Sequence, residues 1–345
     1  MEVNKKVILY IGNNLTTKTK YATTMDTLSR LLVLENYIVI KSSSKVNKLM
    51  RLLDMCISVI RYSNKIDYLL IDTFSTSNFF YAFFTSQIAR ILKLNYIPIL
   101  HGGNLPYRLD KSKRFSNMIF NNSFVNVAPS NYLKTEFESR GYKTKFIPNI
   151  IEIQNYNFKK RDKIQPNILW VRAFKELYNP KMAVKVLSLI KMKYKSSKLC
   201  MIGPFKDTSI EETKQLSEEL GLLKSIKFTG VLKKEEWHKL ANDYDIFINT
   251  TNFDNTPVSV IEAMALGLTV VSTNAGGMPY LIENGKDGII VDKNDHEKMA
   301  KEIITLIQLN NQQLSLNARL KSEKFGWNVV KQQWEDLLNS NNNNY

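Results

Sequence analysis

The sequence predicts an α/β protein built as two Rossmann-like halves, and three observations predict it. Strand-length apolar runs alternate with helix-period segments along the chain. The strands are apolar continuously rather than at every second position, the pattern of parallel sheets covered on both faces. The alternation then fades through a polar stretch, "QNYNFKKRDKIQPN", and begins again after it.

In the first half the order is "KVILYIG", a helix around "TMDTLSRLLVLE", "YIVIKSS", a basic helix around "KVNKLMRLLDMCISVIRY", "IDYLLIDTF", a helix around "FYAFFTSQIARILKL", and "NYIPILHGG". The second half runs "NILWVRAF", the helix "NPKMAVKVLSLIKMKY", "SKLCMIGP", the helix "IEETKQLSEELGL", "SIKFTG", "KKEEWHKLANDY", "DIFINTT", a helix opening at "TPVSVIEAMAL", "TVVST" and "DGIIV". The polar stretch reads as a linker. Expected bounds are 1–155 for the first domain, 156–325 for the second and 326–340 for a last helix. Open α/β sheets bind ligands beyond the carboxyl ends of their strands, so the expected site is a cleft between two facing halves.

Composition narrows the partners. A chain of 345 residues, 44% of them hydrophobic, suits two medium domains with real cores. The formal charge of +16 is uneven: residues 1–150 hold 21 Lys+Arg and 9 Asp+Glu, so +12, and the remaining 195 hold 27 and 23, so +4. A basic first half implies an anionic or membrane-surface partner; the competing reading is a Lys- and Asn-rich composition, visible also in the "NSNNNNY" tail. Two cysteines, Cys56 and Cys200, make neither a disulfide framework nor a metal-ligand spacing, which points to a reducing compartment. The N-terminus enters a strand without a signal-peptide core. No run approaches the roughly 20 apolar residues that span a bilayer. A cytoplasmic protein is expected, with membrane contact only at its surface. No recognition module accompanies the charge, which disfavours nucleic acid. No G-x-G-x-x-G follows the first strand, which disfavours a nicotinamide dehydrogenase.

One stretch carries most of the chemistry: "DNTPVSVIEAMALGLTVVSTNAGG", from Asp254 to Gly277. Thr256 suits a helix N-cap and Pro257 the first helical position. The free amides of the first turn, around Val258 and Ser259, then point toward the loop of Asp254, as in an anion site. Glu262 stands within an apolar helical run. Burying it demands a partner: the hydroxyls of a sugar or ribose, or a salt bridge or backbone group of the protein itself.

This stretch resembles the signature of retaining glycosyltransferases of the GT-B fold, family 4, in which two acids eight apart flank a turn and a helix start. The resemblance keeps its order over nearly the whole chain. It includes a strand ending in His101, one followed by Arg172, "IGP" at 202–204, the strand-end Gly230 and "LANDYDIFINTT". It implies that Glu262 holds the ribose of a nucleotide-sugar donor and that Asp254 contacts hydroxyls of the transferred hexose. The amides from Asn255 through Thr256, Pro257 and Val258 to Ser259 would face sugar and diphosphate. Arg172 would neutralise the diphosphate, and His101 would contact the reacting sugar. The first loop, "GNNLTTKTKYATT", would face the donor phosphates with Gly12, and with Lys18 and Lys20 if they are more than solvated loop lysines. The tail "KFGWNVVKQQWEDLL" resembles the family's last helix, which crosses back onto the first domain, with Trp327 and Trp334 as core or hinge contacts.

The chain also departs from the family pattern. Asp254 is one methylene shorter than the usual Glu. Leu177 stands where a phosphate-binding lysine is usual, leaving Lys175 as the nearest candidate, and Tyr280 replaces a frequent acid. These changes mark either a subfamily or weakened catalysis. Asp243-Tyr244-Asp245 has the form of a metal-binding D-x-D, yet it joins a helix to a strand, and no metal is expected. The basic helix and "YRLDKSKRFSNMIF" either rest on an anionic bilayer, giving reach to a lipid-linked acceptor, or are ordinary amphipathic helices with a wet basic face.

The expected function is retaining transfer of a hexose-type sugar from a nucleotide diphosphate donor to a glycan or lipid-linked acceptor, in cell-surface polysaccharide biosynthesis. The rivals are a nucleotide-sugar epimerase on the same fold and a sugar-binding subunit without turnover.

Overall fold

The structure is a computed structural model that describes residues 5–14 and 23–340. It divides into two compact units, Met1–Ile150 with Trp327–Tyr345, and Ile151–Gly326.

The first unit is built on a six-stranded parallel sheet of β1 (Val7–Ile11), β2 (Ile38–Ser42), β3 (Tyr68–Phe74), β4 (Tyr96–His101), β5 (Asn126–Ala128) and β6 (Thr144–Phe146), in the order β2-β1-β3-β4-β5-β6. Its central strands are mostly apolar because helices bury both faces. Met55, Val59, Phe79, Ile119 and Phe120 pack on one side; Met25, Leu28, Leu32 and Leu337 pack on the other. The closing helix Trp327–Asn339 belongs to this second layer, with Trp334 buried beside Ile8 and Tyr10. Trp327 donates its Nε1–H to Glu35 Oε1 at 3.0 Å. Three-residue β5 and β6, "NVA" and "TKF", are too short and too polar to stand out in the sequence.

The second unit repeats the plan. Strands β7 (Asn167–Val171), β8 (Lys198–Ile202), β9 (Ile226–Gly230), β10 (Ile246–Asn249), β11 (Thr269–Thr273) and β12 (Ile289–Val291) form a parallel sheet in the order β12-β11-β10-β7-β8-β9. In each sheet the chain reverses its direction of strand addition once, between β1 and β3 and between β7 and β10. Ligands of open α/β sheets collect at the carboxyl ends of strands beside such a reversal. Those ends carry Gly12 and Asp72 in one unit, and Arg172 and Thr250 in the other.

One expectation is corrected here and another refined. The polar stretch read as a linker is packed onto the second unit. Arg161 is only 4% exposed and binds Asp245 Oδ1 at 3.1 Å, Tyr244 O at 2.9 Å and Leu266 O at 3.0 Å. The basic helix, Lys48–Tyr62, exposes an apolar stripe between its end cations Lys48 and Arg61 rather than a continuous basic face. Arg51 turns inward to Lys45 O (2.6 Å), Val46 O (2.9 Å) and Asn13 Oδ1 (2.7 Å), and the outward side is apolar.

Candidate functional sites

In the second unit, Arg172 leaves the carboxyl end of β7, its N–H bonded to Ile202 O at 2.9 Å. The neighbouring strand exit must lie flat against it. A Cβ on Gly203 would stand 1.8 Å from the Arg172 carbonyl oxygen, at a φ of +151°. This is the reason for glycine in "IGP". The Arg172 guanidinium lies over the Tyr178 ring, 4.4 Å from its centroid, and its Nη2 is in close contact with Asp254 Oδ2. Burial lowers the Arg172 pKa from its ordinary value. Its Nε is buried without a hydrogen-bond partner.

Asp254 is held by its own loop. Its Oδ1 accepts the Asn255 N–H at 2.9 Å, and its carbonyl accepts the Gly277 N–H at 3.0 Å. The Gly-Gly pair permits that approach: a Cβ on Gly276 would meet Asp254 O at 1.9 Å, and one on Gly277 would meet Asn255 O at 1.8 Å. The helix behind the loop spans Val258–Ala265, one position later than the sequence suggests. Pro257, not Thr256, is the N-cap, and no side chain caps it. Pro257 O accepts from Val260 and Ile261, so the amides of Val258 and Ser259 stay open at the helix start. Ser259 Oγ and Asn252 Oδ1 join Arg172 Nε as buried polar atoms without partners. Orphaned polar groups are costly when buried; of these three atoms, Arg172 Nε and Ser259 Oγ can donate to an anionic ligand, whereas Asn252 Oδ1 can only accept.

Glu262, 4% exposed, is answered by the protein. Its Oε1 accepts the Tyr156 hydroxyl at 2.8 Å and pairs with Lys234 Nζ at 2.7 Å, while Lys234 also reaches the Tyr156 oxygen at 3.0 Å. Burial, then Glu262, raises the Tyr156 pKa, so the phenol remains a donor. The His238 ring lies 4.6 Å from that of Tyr156, and burial followed by Lys234 lowers its pKa to about 4. None of these three partners stood out in the sequence: Tyr156 lies in the supposed linker, and Lys234 and His238 in a charged helix.

Lys175 is exposed. Its charge contributes, after hydrogen bonds from Ser209 and Glu176, to the lowered pKa of Asp207 rather than meeting Asp254. Leu177 supplies its carbonyl to the Asn252 N–H at 2.9 Å, fixing the loop that leads to Asp254. Tyr280 is about half exposed. Within the D-x-D, Asp245 is a structural acid, bound by Arg161 and by the Gln165 N–H at 2.8 Å.

In the first unit the strand ends assemble a separate cluster. His101 Nε2 lies 2.7 Å from Asp72 Oδ1, which also accepts the Tyr10 hydroxyl at 2.9 Å. Phe74 stacks on the His101 ring at 5.1 Å. Gly12 makes room for the acid, since a Cβ there would stand 2.6 Å from Asp72 Oδ2. Burial and Asp72 raise the Tyr10 pKa, so it too remains a donor. Because a carboxylate only accepts, the Nε2–H of His101 donates in this contact. Asp72 was overlooked in the sequence, although a lone acid ending an apolar strand was the available signal. Lys18 and Lys20 lie outside the described residues.

Residues 152–323 match the family model described as Glycosyl transferases group 1. The second unit therefore carries such a domain. Among curated proteins, the chain is 24% identical over 266 residues to the amylovoran biosynthesis glycosyltransferase AmsK of Erwinia amylovora, covering 72% of this chain and 65% of the relative. It is 28% identical over 147 residues to the putative colanic acid biosynthesis glycosyltransferase WcaL of Escherichia coli, covering 40% of this chain and 35% of that protein. The matches thus span about a third to two thirds of these relatives. Among solved structures, Anabaena HepE in complex with UDP-glucose superposes with a TM-score of 0.75 at 16% identity, covering 96% of this chain and 99% of that one. Sucrose-phosphate synthase from Thermosynechococcus elongatus gives 0.78 at 13% identity, covering 96% and 98%. The fold is GT-B. Among the described residues, no helix is long and apolar enough to cross a membrane.

Proposed function

We propose that the protein is a cytoplasmic glycosyltransferase that moves a hexose-type sugar from a nucleoside diphosphate to a hydroxyl of a glycan or lipid-linked acceptor, with retention, in the building of a cell-surface polysaccharide. The observation that carries this reading is the Arg172–Asp254 pair beside the open start of the helix Val258–Ala265, within a group 1 glycosyl transferase domain. WcaL and AmsK, named for colanic acid and amylovoran biosynthesis, support the polysaccharide setting. HepE, solved with UDP-glucose, supports a nucleotide-sugar donor.

In this reading Arg172 and the amides of Val258 and Ser259 take up the charge that develops on the departing diphosphate. Lys175 serves as a second, outer cation, and Gly12 gives backbone access to the phosphates. Asp254 accepts hydroxyls of the sugar, with the turn through Asn255, Thr256 and Pro257 closing around it. Glu262 accepts the ribose hydroxyls once the half-exposed Lys234 arm swings aside. His101 contacts the reacting sugar. A fixed guanidinium supplies the charge neutralisation that the leaving group needs, so the reaction calls for no metal, and a chelator should leave its rate unchanged.

Calorimetric titration with UDP, GDP, ADP and their sugar conjugates tests the donor site. Selective binding of one nucleotide is expected, weakened several-fold or more by Glu262→Ala in a folded protein. No binding to any of them, or an unaltered affinity in Glu262→Ala, overturns it. A binding subunit without turnover is the second reading, favoured by Asp254 already engaging the phosphate cation and by Leu177 at the usual lysine position. It predicts binding but no transfer.

A further inference from the structure

The helix Lys48–Tyr62 reverses the ordinary burial pattern of a surface helix. Its inward side carries Arg51, Met55 and Val59, while Leu49, Met50, Leu53, Ile57 and Ile60 face outward, Leu49 at 65% and Ile57 at 61% exposure. Successive turns place these five on one stripe. The stripe does not stand alone. The helices Phe79–Ile91 and Lys113–Phe120 send their inner residues into the same core cluster as Met55 and Val59, so all three cover one face of the sheet. Their outer sides add Phe80, Phe84 and Phe115, all exposed. Phe80 and Phe115 meet edge to face at 6.2 Å, and the Tyr81 hydroxyl, 3.2 Å from Lys48 O, ties the first two helices together. An apolar patch of this extent, left open on a water-facing surface, marks a docking face.

Charge selects the occupant. Residues 45–65, 79–93 and 107–115, which make up this face and its edges, hold 11 Lys+Arg against 2 Asp+Glu. One of those cations, Arg51, is buried; one of the two acids, Asp110, is neutralised by Arg140 through paired contacts of 2.9 Å. Lys48 and Arg61 stand at the two ends of the stripe, and Lys113 and Arg114 immediately precede Phe115. A partner protein groove would need acids placed opposite particular cations. A diffuse cationic rim around an aliphatic and aromatic centre instead matches an anionic lipid surface, whose acyl boundary accepts the apolar side chains while its headgroups accept the cations.

We propose that this three-helix face of the first unit rests on an anionic phospholipid surface, with Leu49, Leu53, Ile57 and Phe84 entering the acyl boundary and Lys48, Arg61, Lys113 and Arg114 meeting headgroup phosphates. This docking does not depend on the proposed transfer reaction, and its test reads no catalysis. The 345-residue chain is floated with vesicles of phosphatidylcholine alone and of phosphatidylcholine with phosphatidylglycerol. Binding to the anionic vesicles only, weakened by added salt, is expected. Leu53→Glu with Ile57→Glu alters two exposed side chains and leaves the fold intact, as circular dichroism and thermal melting verify; it should abolish flotation. Lys113→Glu with Arg114→Glu should weaken it more than ten-fold, since each cation at an anionic surface is worth about five-fold. Absence of flotation by the wild-type chain overturns the proposal, as does equal flotation of the Leu53→Glu/Ile57→Glu variant. A concentration-dependent dimer in light scattering, lost in that variant and unaccompanied by flotation, would assign the face to a second copy of the chain and overturn it equally.

Discussion

His101 Nε2 and Asp72 Oδ1 stand 2.7 Å apart at the carboxyl ends of adjacent strands β4 and β3, with Tyr10 fixing the same carboxylate oxygen. A histidine so held has one orientation. Asp72 is a positioning residue in this arrangement. Asp72→Asn removes the charge that holds the imidazole and should lower the turnover of sugar transfer by about a hundred-fold, with donor affinity unchanged. A steady-state split between kcat and donor KM tests this. A fall confined to KM would place Asp72 in donor binding instead, and undiminished turnover would remove the role.

Gly276 and Gly277 should be intolerant of any side chain for a reason of space. An alanine Cβ would stand 1.9 Å from Asp254 O or 1.8 Å from Asn255 O, so the loop must move. Each alanine variant should lose about 2–3 kcal/mol in urea unfolding and bind donor weakly. Gly285→Ala is the control: its φ is +77° but nothing lies within 4 Å, so it should lose only about 1 kcal/mol. Equal losses at Gly276 and Gly285 would show that backbone conformation, not close approach, is what Gly276 provides; Gly277, at a φ of −80°, has only the close approach.

Arg172 pairs internally with Asp254, so an anionic ligand competes with a carboxylate for it. Arg172→Ala should weaken nucleoside diphosphate binding about ten- to a hundred-fold, the worth of a charge-assisted bond. Arg172→Lys should recover part of that, without the stacking over Tyr178. Asp254→Asn should do the reverse for the bare nucleotide, tightening its binding while slowing sugar transfer. Calorimetry on the three variants decides the matter, and weaker nucleotide binding in Asp254→Asn would contradict the competition.

His238 should make the second unit acid-sensitive. Its folded pKa of about 4 lies below the ordinary 6.5, chiefly through burial. Between those values the unfolded chain takes up a proton that the folded chain refuses. The stability carried by neutral His238 is therefore full above pH 6.5 and is lost as pH falls toward 4. Melting temperatures of wild type and His238→Gln, measured on both sides of this window, should show the larger acid-induced drop in the wild type. Parallel curves would refute it.

The strong elements of both halves were legible because long apolar runs between helix-period segments leave little choice of pairing. The short β5 and β6 were not, since three polar-edged residues carry no period. The site divides in the same way. Asp254 and Glu262 stood out because they share one compact stretch, and Arg172 only through the resemblance that the whole chain carries. Tyr156, Lys234 and Asp72 did not, because their meaning arises only when distant segments meet: Tyr156 is 106 residues from Glu262, and Asp72 is 29 from His101. In the basic helix, what the sequence hides is which side chains face outward. Counting its charges does not reveal that Arg51 turns inward and leaves the aliphatic side chains outside.

The stretch from Ile151 to Pro166 sets where the chain can be recombined. A chimaera that imports a second half from another sequence beginning at Asn167 would set this chain's Arg161 and Tyr156 against whatever the other parent carries in place of Asp245 and Glu262, splitting both pairs between parents. Exchange from Ile151 to Gly326 transplants both pairs whole, so the interchangeable module is longer at its leading edge than the repeating strands and helices suggest.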